Sequence, residues 1–458
     1  MRADSGTGLF GILLEQISAA RPKGAPRLRQ AERRQVSLRP LSLEDLLPPD
    51  HRARFVWAFA ERLDLSALYG AIKAVEGHPG HPPADPRILL ALWLYATVEG
   101  VGSARELDRL CREHVCFEWL CGGVGMNHTT LAEFRVAHGA VLERLLTDSF
   151  AAMLKTGHAS LVRVAQDGMR VRAAAGAASF RRRASLARCR AEAAAEVARL
   201  RAELEADPGA LSRRQAAARQ RAAADRERRV EAALAVAEQL AAKRQGDPCP
   251  QSEDPPGPGD APAGEATGKP PSEPRVSTTD AEARVMKMPD GGFRPAFNLG
   301  FASDPRSTMI AAVTLDNTGS DKGQLRPMSE WLAATYGQRP GEHLVDGGFA
   351  KLADIEALAA AGVAVFAPVP KPRDAARDPH APRDGDGPGV AAWRRRMGSE
   401  AAKAVYKERA ATAECVNAQC RNRGLLRFLV RGLEKAKAVG LWHALAHNMI
   451  CTGRLLAT

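Results

Sequence analysis

No run in this sequence has the roughly 20 unbroken apolar residues that a membrane helix requires. Met1-Arg2-Ala3-Asp4 also lacks the basic-then-apolar layout of a secretory signal. The expectation is a soluble, cytoplasmic chain with no membrane partner. The eight cysteines are scattered. Cys111, Cys116 and Cys121 follow a Cys-x4-Cys spacing that, even with His114 among them, is not a usual zinc pattern. Reduced thiols are the better reading. Also missing are a phosphate-cradling glycine loop, a dinucleotide fingerprint and any fixed-period repeat.

What is present is length, basic charge and a patchwork of composition. At 458 residues the chain exceeds one ordinary core, so two or three domains are expected. Lysine and arginine number 65 against 53 acids, a net charge of +12, which points to a polyanion such as DNA or RNA. Residues 1–40 carry Arg21, Lys23, Arg27, Arg29, Arg33 and Arg34 among prolines and glycines. They read as a flexible basic arm that tracks phosphates, or equally as an untidy terminus without a partner.

Residues 41–155 read as an all-helical domain. Ser42 with Asp45 resembles a helix cap, and residues 55–72 and 86–98 have apolar side chains at helical spacing. Ser103 caps a further helix, and Asn127-His128-Thr129 opens another. Two short helices about a glycine-containing turn fit a helix-turn-helix, and they fit a plain helical bundle as well.

Strand character begins at 159–164 and ends at Gln166-Asp167-Gly168, with 171–173 as the second strand of a hairpin. Residues 180–245 read as an inserted helical hairpin broken at Pro208-Gly209, and 246–275 as a disordered linker rich in proline and glycine. Taking both out joins 156–179 to 276–458 as one α/β unit with a mixed sheet. Strands are expected at 297–301 and 309–315, and a helix at 324–336. His343-Leu344-Val345-Asp346-Gly347-Gly348-Phe349 then runs from a strand into a turn. A helix at 351–361 and a strand at 363–366 complete a strand–helix–strand unit, the signal of a parallel sheet. Residues 424–456 read as an amphipathic helical end that covers the sheet.

Between Ser399 and Asn422 lies a helix-favouring run free of glycine and proline. On a regular helix Lys407, Glu414 and Arg421 share a face, with Tyr406 beside it. A carboxylate between basic groups suits a site that holds a metal and a phosphate together. A solvated face of alternating charge has the same spacing. Asp167 and Asp346 each sit at an expected strand end, where an aspartate is often only a turn former. The same placement presents ligands at the carboxyl edge of an α/β sheet. Three carboxylates there would repel one another unless Mg²⁺ or Mn²⁺ intervened, two such ions being able to drive in-line attack on a phosphate. Asp316, Asp321, Asp280 and Glu408 are rivals for the acidic roles.

Tyr406, Arg409, Glu414 and Arg421 resemble the Tyr-Arg-Glu-Lys signature of the DDE transposases of bacterial insertion sequences. Val164-Ala165-Gln166-Asp167-Gly168 and Leu344-Val345-Asp346-Gly347-Gly348-Phe349 stand in the order of that family's other motifs. The resemblance implies an RNase H-like catalytic domain in which Asp167, Asp346 and Glu414 are metal ligands. It implies that Tyr406, Arg409 and Arg421 contact DNA near the cleaved bond. The reaction implied is hydrolytic nicking at the ends of a mobile element, then joining of the freed 3′-hydroxyl to target DNA. Its partner would be double-stranded DNA, its unit a homodimer or larger, and its place the nucleoid. Residues 41–155 resemble the family's helical amino-terminal domain, which favours DNA binding with Thr129, Thr130 and Arg135 as candidate contacts.

The signature departs from its common form in two ways. Four residues rather than three separate Arg409 from Glu414, and the closing lysine is Arg421. On a regular helix the extra residue turns Arg409 about 100° further round. Arginine for lysine keeps the charge and strengthens bidentate phosphate contact. Two other functions remain open: an inactive DNA-binding relic or repressor, and a metal-dependent nuclease of the same fold that cuts without joining.

Overall fold

The computed structural model describes residue 40 and residues 42–75, 77, 82–206, 212–246, 273–372 and 377–456. The arm expected at 1–40, apart from Pro40, lies outside them, as do the Pro208-Gly209 break and most of the linker expected over 246–275. Residues from Leu43 onward group into one compact unit.

That unit begins with α1 (Arg52–Arg62), α2 (Ser66–Tyr69), α3 (Pro86–Val98), α4 (Ala104–Glu113), α5 (Val115–Cys121), α6 (His128–Ala137) and α7 (Gly139–Lys155). Ser42 and Asp45 do not start a long helix. Only the single turn Glu44–Leu46 forms ahead of Pro48 and Pro49, and α1 starts at Arg52, where His51 Nδ1 accepts from Ala53 N at 3.1 Å. The run expected at 55–72 is two helices: the first ends at Arg62 with Leu63 extended, and Asp64 accepts from Ser66 N at 2.9 Å in the turn before the second. α3 has Asp85 as its cap and Pro86 in its first turn, and between Pro86 and Thr97 every residue but Arg87 is buried.

The sheet follows. Its strands and their companions are β1 (Arg163–Arg172), β2 (Phe180–Arg181), α8 (Arg183–Ala206), α9 (Arg213–Gly246), β3 (Val276–Ser277), β4 (Arg284–Lys287), β5 (Phe293–Ser303) and β6 (Ile310–Asp316). Then come α10 (Leu325–Tyr336), β7 (Glu342–Leu344), α11 (Leu352–Ala360), β8 (Ala364–Phe366), α12 (Pro388–Gly398) and α13 (Glu400–Arg409). A π-helical turn (Ala410–Glu414), α14 (Cys415–Asn422) and α15 (Leu433–Leu456) complete the chain.

β1 is central. It pairs antiparallel with β5 from Ala165↔Ser303 to Arg172↔Ala296, and parallel with β7 from Arg163↔Glu342 to Ala165↔Leu344. β7 and β8 are parallel, while β4 and β6 both pair antiparallel with β5. The strand expected to end at Asp167, and the hairpin after it, are instead one continuous strand. Local turn preference at Asp167-Gly168 yields to an unbroken ladder with β5, in which Asp167 faces Phe301 and Gly168 faces Gly300.

α15 also differs from expectation. It is buried on nearly all sides from Ala436 to Met449, because helices cover the side away from the sheet. Asn448 holds β6 through both Ile310 N and Ile310 O at 2.7 Å. On the opposite side Trp442 lies 6.4 Å from the Trp93 ring, and its Nε1 donates to Arg135 O at 2.9 Å. The amino-terminal helices, α15 and part of the sheet therefore share one hydrophobic core.

β2 and β3 pair through Phe180↔Ser277 and Arg181↔Val276, and α8 and α9 leave from this ribbon. Leu186, Ala233, Ala237 and Val276 form a small core of their own there. Arg190–Glu231 (3.6 Å), Arg183–Glu238 (3.6 Å) and Arg226–Glu192 (3.8 Å) tie α8 to α9. No helix among the described residues is long and apolar enough to cross a membrane.

Candidate active site

The parallel ladder of β1 and β7 stops at Ala165↔Leu344, and Asp167 and Asp346 each lie two residues beyond it. The register thus brings two aspartates from distant parts of the chain to one point, where neighbouring strands separate and a sheet opens a crevice. Asp346 caps the short turn Gly347–Phe349, accepting from Gly348 N at 2.7 Å. Asp167 is mostly buried. Its Oδ1 accepts from Gly168 N at 3.0 Å, and its Oδ2 accepts from Asn417 Nδ2 at 2.9 Å.

The helix bearing Glu414 is not regular. The extra residue between Arg409 and Glu414 is absorbed by the π turn Ala410–Glu414. A π turn bonds i to i+5, so residues five apart share a face there as residues four apart do in an α-helix. The 100° displacement expected of Arg409 is thereby cancelled. Arg409 Nη2 donates to Glu414 Oε1 at 3.1 Å, and Nη1 lies 3.6 Å from Asp167 Oδ1. The guanidinium also rests 5.8 Å from the centre of the Tyr406 ring. Lys407 is carried off the Glu414 face by the same turn. Arg421, on α14, is half-buried and a whole number of α-helical turns past Glu414.

Burial pushes Asp167 up to about 6, against the pull of Arg409 and with Asp346 and Asp321 adding to the rise. Asp321, one of the rivals, is therefore a neighbour of the pair. Asn298 Nδ2 donates to its Oδ1 at 2.6 Å, and burial and Asp346 raise it. The other rivals accept from partners of their own. Asp280 accepts from Gly432 N at 3.1 Å, Asp316 from Thr318 Oγ1 at 2.6 Å, and Glu408 from Arg163 Nη1 at 2.6 Å.

Among the described residues no three His, Cys, Asp or Glu side chains form a group that could hold a metal ion. Glu414 is paired with Arg409 and is more exposed than Asp167, its side chain being 58% exposed against 17%. The donors that do meet suit a hard cation. Asp167 and Asp346 repel, and Asn417 Oδ1 is buried with no hydrogen-bond partner among the described residues.

The amino-terminal candidates lie on α6, apart from the carboxylates. Asn127 Oδ1 accepts from the backbone N of Thr129 (3.0 Å) and Thr130 (2.9 Å), leaving Thr129 exposed and Thr130 half-buried. Arg135, read from the sequence as a DNA contact, is instead a core arginine. Its guanidinium donates to Gly102 O and lies 4.7 Å over the Trp93 ring, and the residue is 8% exposed. Sequence reasoning overlooked Asn417 and Asn298. The signals were there: a single amide within the apolar strand Phe297-Asn298-Leu299, and an amide three residues past Glu414, on its face of the helix.

A family model described as "Transposase domain (DUF772)" matches residues 41–137, which hold α1 to α6. The match supports a transposase-type function. No curated protein and no solved structure matches the chain.

Proposed function

We propose that this chain is a DNA transposase that cuts the ends of a mobile element and joins the freed 3′-hydroxyl to target DNA. The observation that carries this reading is the meeting of Asp167 and Asp346 past the β1–β7 ladder, with Arg409 spanning Asp167 and Glu414. The sheet, antiparallel on one side of β1 and parallel on the other, supports an RNase H-like catalytic domain over 156–179 plus 276–458. The transposase-domain match supports a DNA-binding role for 41–155.

On this reading Asp167 and Asp346 hold Mg²⁺ or Mn²⁺, with Glu414 as the third ligand. When bound, two such ions would activate a water or a 3′-hydroxyl and stabilise the departing oxygen. Arg409 and Arg421 take phosphate oxygens, for which a planar guanidinium is suited. Tyr406 steadies Arg409 from the ring side. Thr129 and Thr130 lie in the first turn of α6, where their hydroxyls can meet a phosphate. At least two copies act together, since two element ends must be brought together.

A second reading, a DNA-binding protein that does not cut, draws on Arg409 standing between Asp167 and Glu414, where it neutralises both. A supercoiled plasmid carrying the gene with its native flanks separates the readings when incubated with the protein and Mg²⁺ or Mn²⁺. Metal-dependent 3′ ends at both flanks, absent with Asp346→Ala, are the expected outcome. Binding at the flanks without breaks would favour the non-cutting reading, and scattered breaks that still need Asp346 would favour a nuclease.

A further inference from the structure

Asn417 lies on α14, three residues past Glu414, and is 4% exposed. A carboxylate can only accept, so the amide must present its NH₂ to Asp167 and turn its oxygen away. Nδ2 donates to Asp167 Oδ2 at 2.9 Å while Gly168 N donates to Oδ1 at 3.0 Å. Each oxygen of Asp167 thus has its own donor, one from the strand and one from the helix. The amide oxygen left over, Asn417 Oδ1, is buried without a partner among the described residues, which is unfavourable unless something else uses it.

We infer that Asn417 is a positioning residue for the cation-binding carboxylate Asp167. Its Nδ2 fixes the Asp167 carboxylate against β1 and ties the Glu414 helix to that strand. Its Oδ1 is left as an acceptor toward a hydrated hard cation, which keeps several of its waters when bound by few carboxylates. The inference rests on Asp167 being a cation ligand, as proposed above. The side chain is not replaceable by bulk, since an apolar isostere would leave Asp167 Oδ2 without its donor.

The test uses the purified full chain and Mn²⁺ alone, with binding followed by the spin-resonance signal of free Mn²⁺ and by the rise in unfolding temperature that Mn²⁺ produces. Asn417→Leu should bind Mn²⁺ about tenfold or more weakly, the usual effect of losing a partner of a metal ligand. Its unfolding temperature without Mn²⁺ should fall by a few degrees at most, so the rise that Mn²⁺ produces is read from each variant's own metal-free value. Asn417→Ser, which keeps a small hydroxyl, provides the same reading if the leucine does not fit. Asp346→Ala marks how much Mn²⁺ binding belongs to this site. Equal Mn²⁺ affinity in the unaltered chain and both Asn417 variants would overturn the inference and leave the cation site standing. No Mn²⁺ binding by the unaltered chain would remove the cation reading of Asp167, and this inference with it.

Discussion

A methyl group on Gly168 would come within 2.6 Å of Asp321 Oδ1 and 3.1 Å of Asn298 Oδ1, so the glycine beside Asp167 is what lets Asp321 approach β1. The sequence offered Asp167-Gly168 as a turn, and nothing in it reveals that the space belongs to a carboxylate more than a hundred residues away. Asp167 and Asp346 were legible as candidates because each stands in a short, recognisable string. Asn417 and Asn298 were not, because an amide's value depends on which partner the fold brings to it. Histidines show the same limit. His343 is fully buried, neither ring nitrogen has a partner among the described residues, and burial holds it down to about 4. His443 and His447 are likewise held down, chiefly by burial. Above about pH 6.5 His343 is neutral in both folded and unfolded chains. As pH falls from there toward about 4, the unfolded chain takes up a proton that the folded chain refuses, so stability is lost across that window. The His343 share is on the order of 3 kcal/mol. His343→Leu should therefore flatten the fall of the unfolding temperature between pH 7 and pH 4, and identical slopes would show that His343 does not carry it.

At the scale of elements, the strand–helix–strand unit of β7, α11 and β8 and the run of helices before β1 were readable from periodicity and caps. Two readings failed for one reason, that local rules were extended through places where tertiary contacts rule. β1 passes straight through a turn-forming pair, and the Glu414 helix adds a π turn where regular geometry would have split Arg409 from Glu414. The π turn makes a prediction about length. Deleting Ala411 should convert it to an ordinary α turn, keep Arg409 and Glu414 on one face, and leave DNA cleavage and unfolding temperature near those of the parent. Inserting one alanine at the same point should carry Glu414 about 100° away and abolish cleavage while DNA binding persists. Cleavage assays on the pair check this, and equal activity in both would mean that helical phase at this point is irrelevant.

For the whole molecule, what the sequence hid most completely was the shared core. A boundary drawn between a helical segment and an α/β segment follows composition, but α15 arrives from the far end of the chain to pack against both. The insert behaves oppositely. Its apolar contacts gather in a small core at the β2–β3 ribbon, where its two ends are already side by side. Joining Arg181 to residue 276 through an Asn-Gly turn, with Val276→Thr because Leu186, Ala233 and Ala237 leave with the insert, should give a chain that still unfolds cooperatively. Circular dichroism should show less helix and a little-changed transition, whereas a chain that fails to fold would mean the insert supports the body. The shared core has a consequence of a different kind. If the helices before β1 grip a DNA end, then Trp442, wedged between Trp93 and the Arg135 carbonyl, makes grip and carboxylates parts of one rigid gauge. If it also cuts as proposed, such a chain counts base pairs: the bond cut is fixed by the distance built into its interior, and the spacing between recognition sequence and cut becomes a heritable dimension of the element.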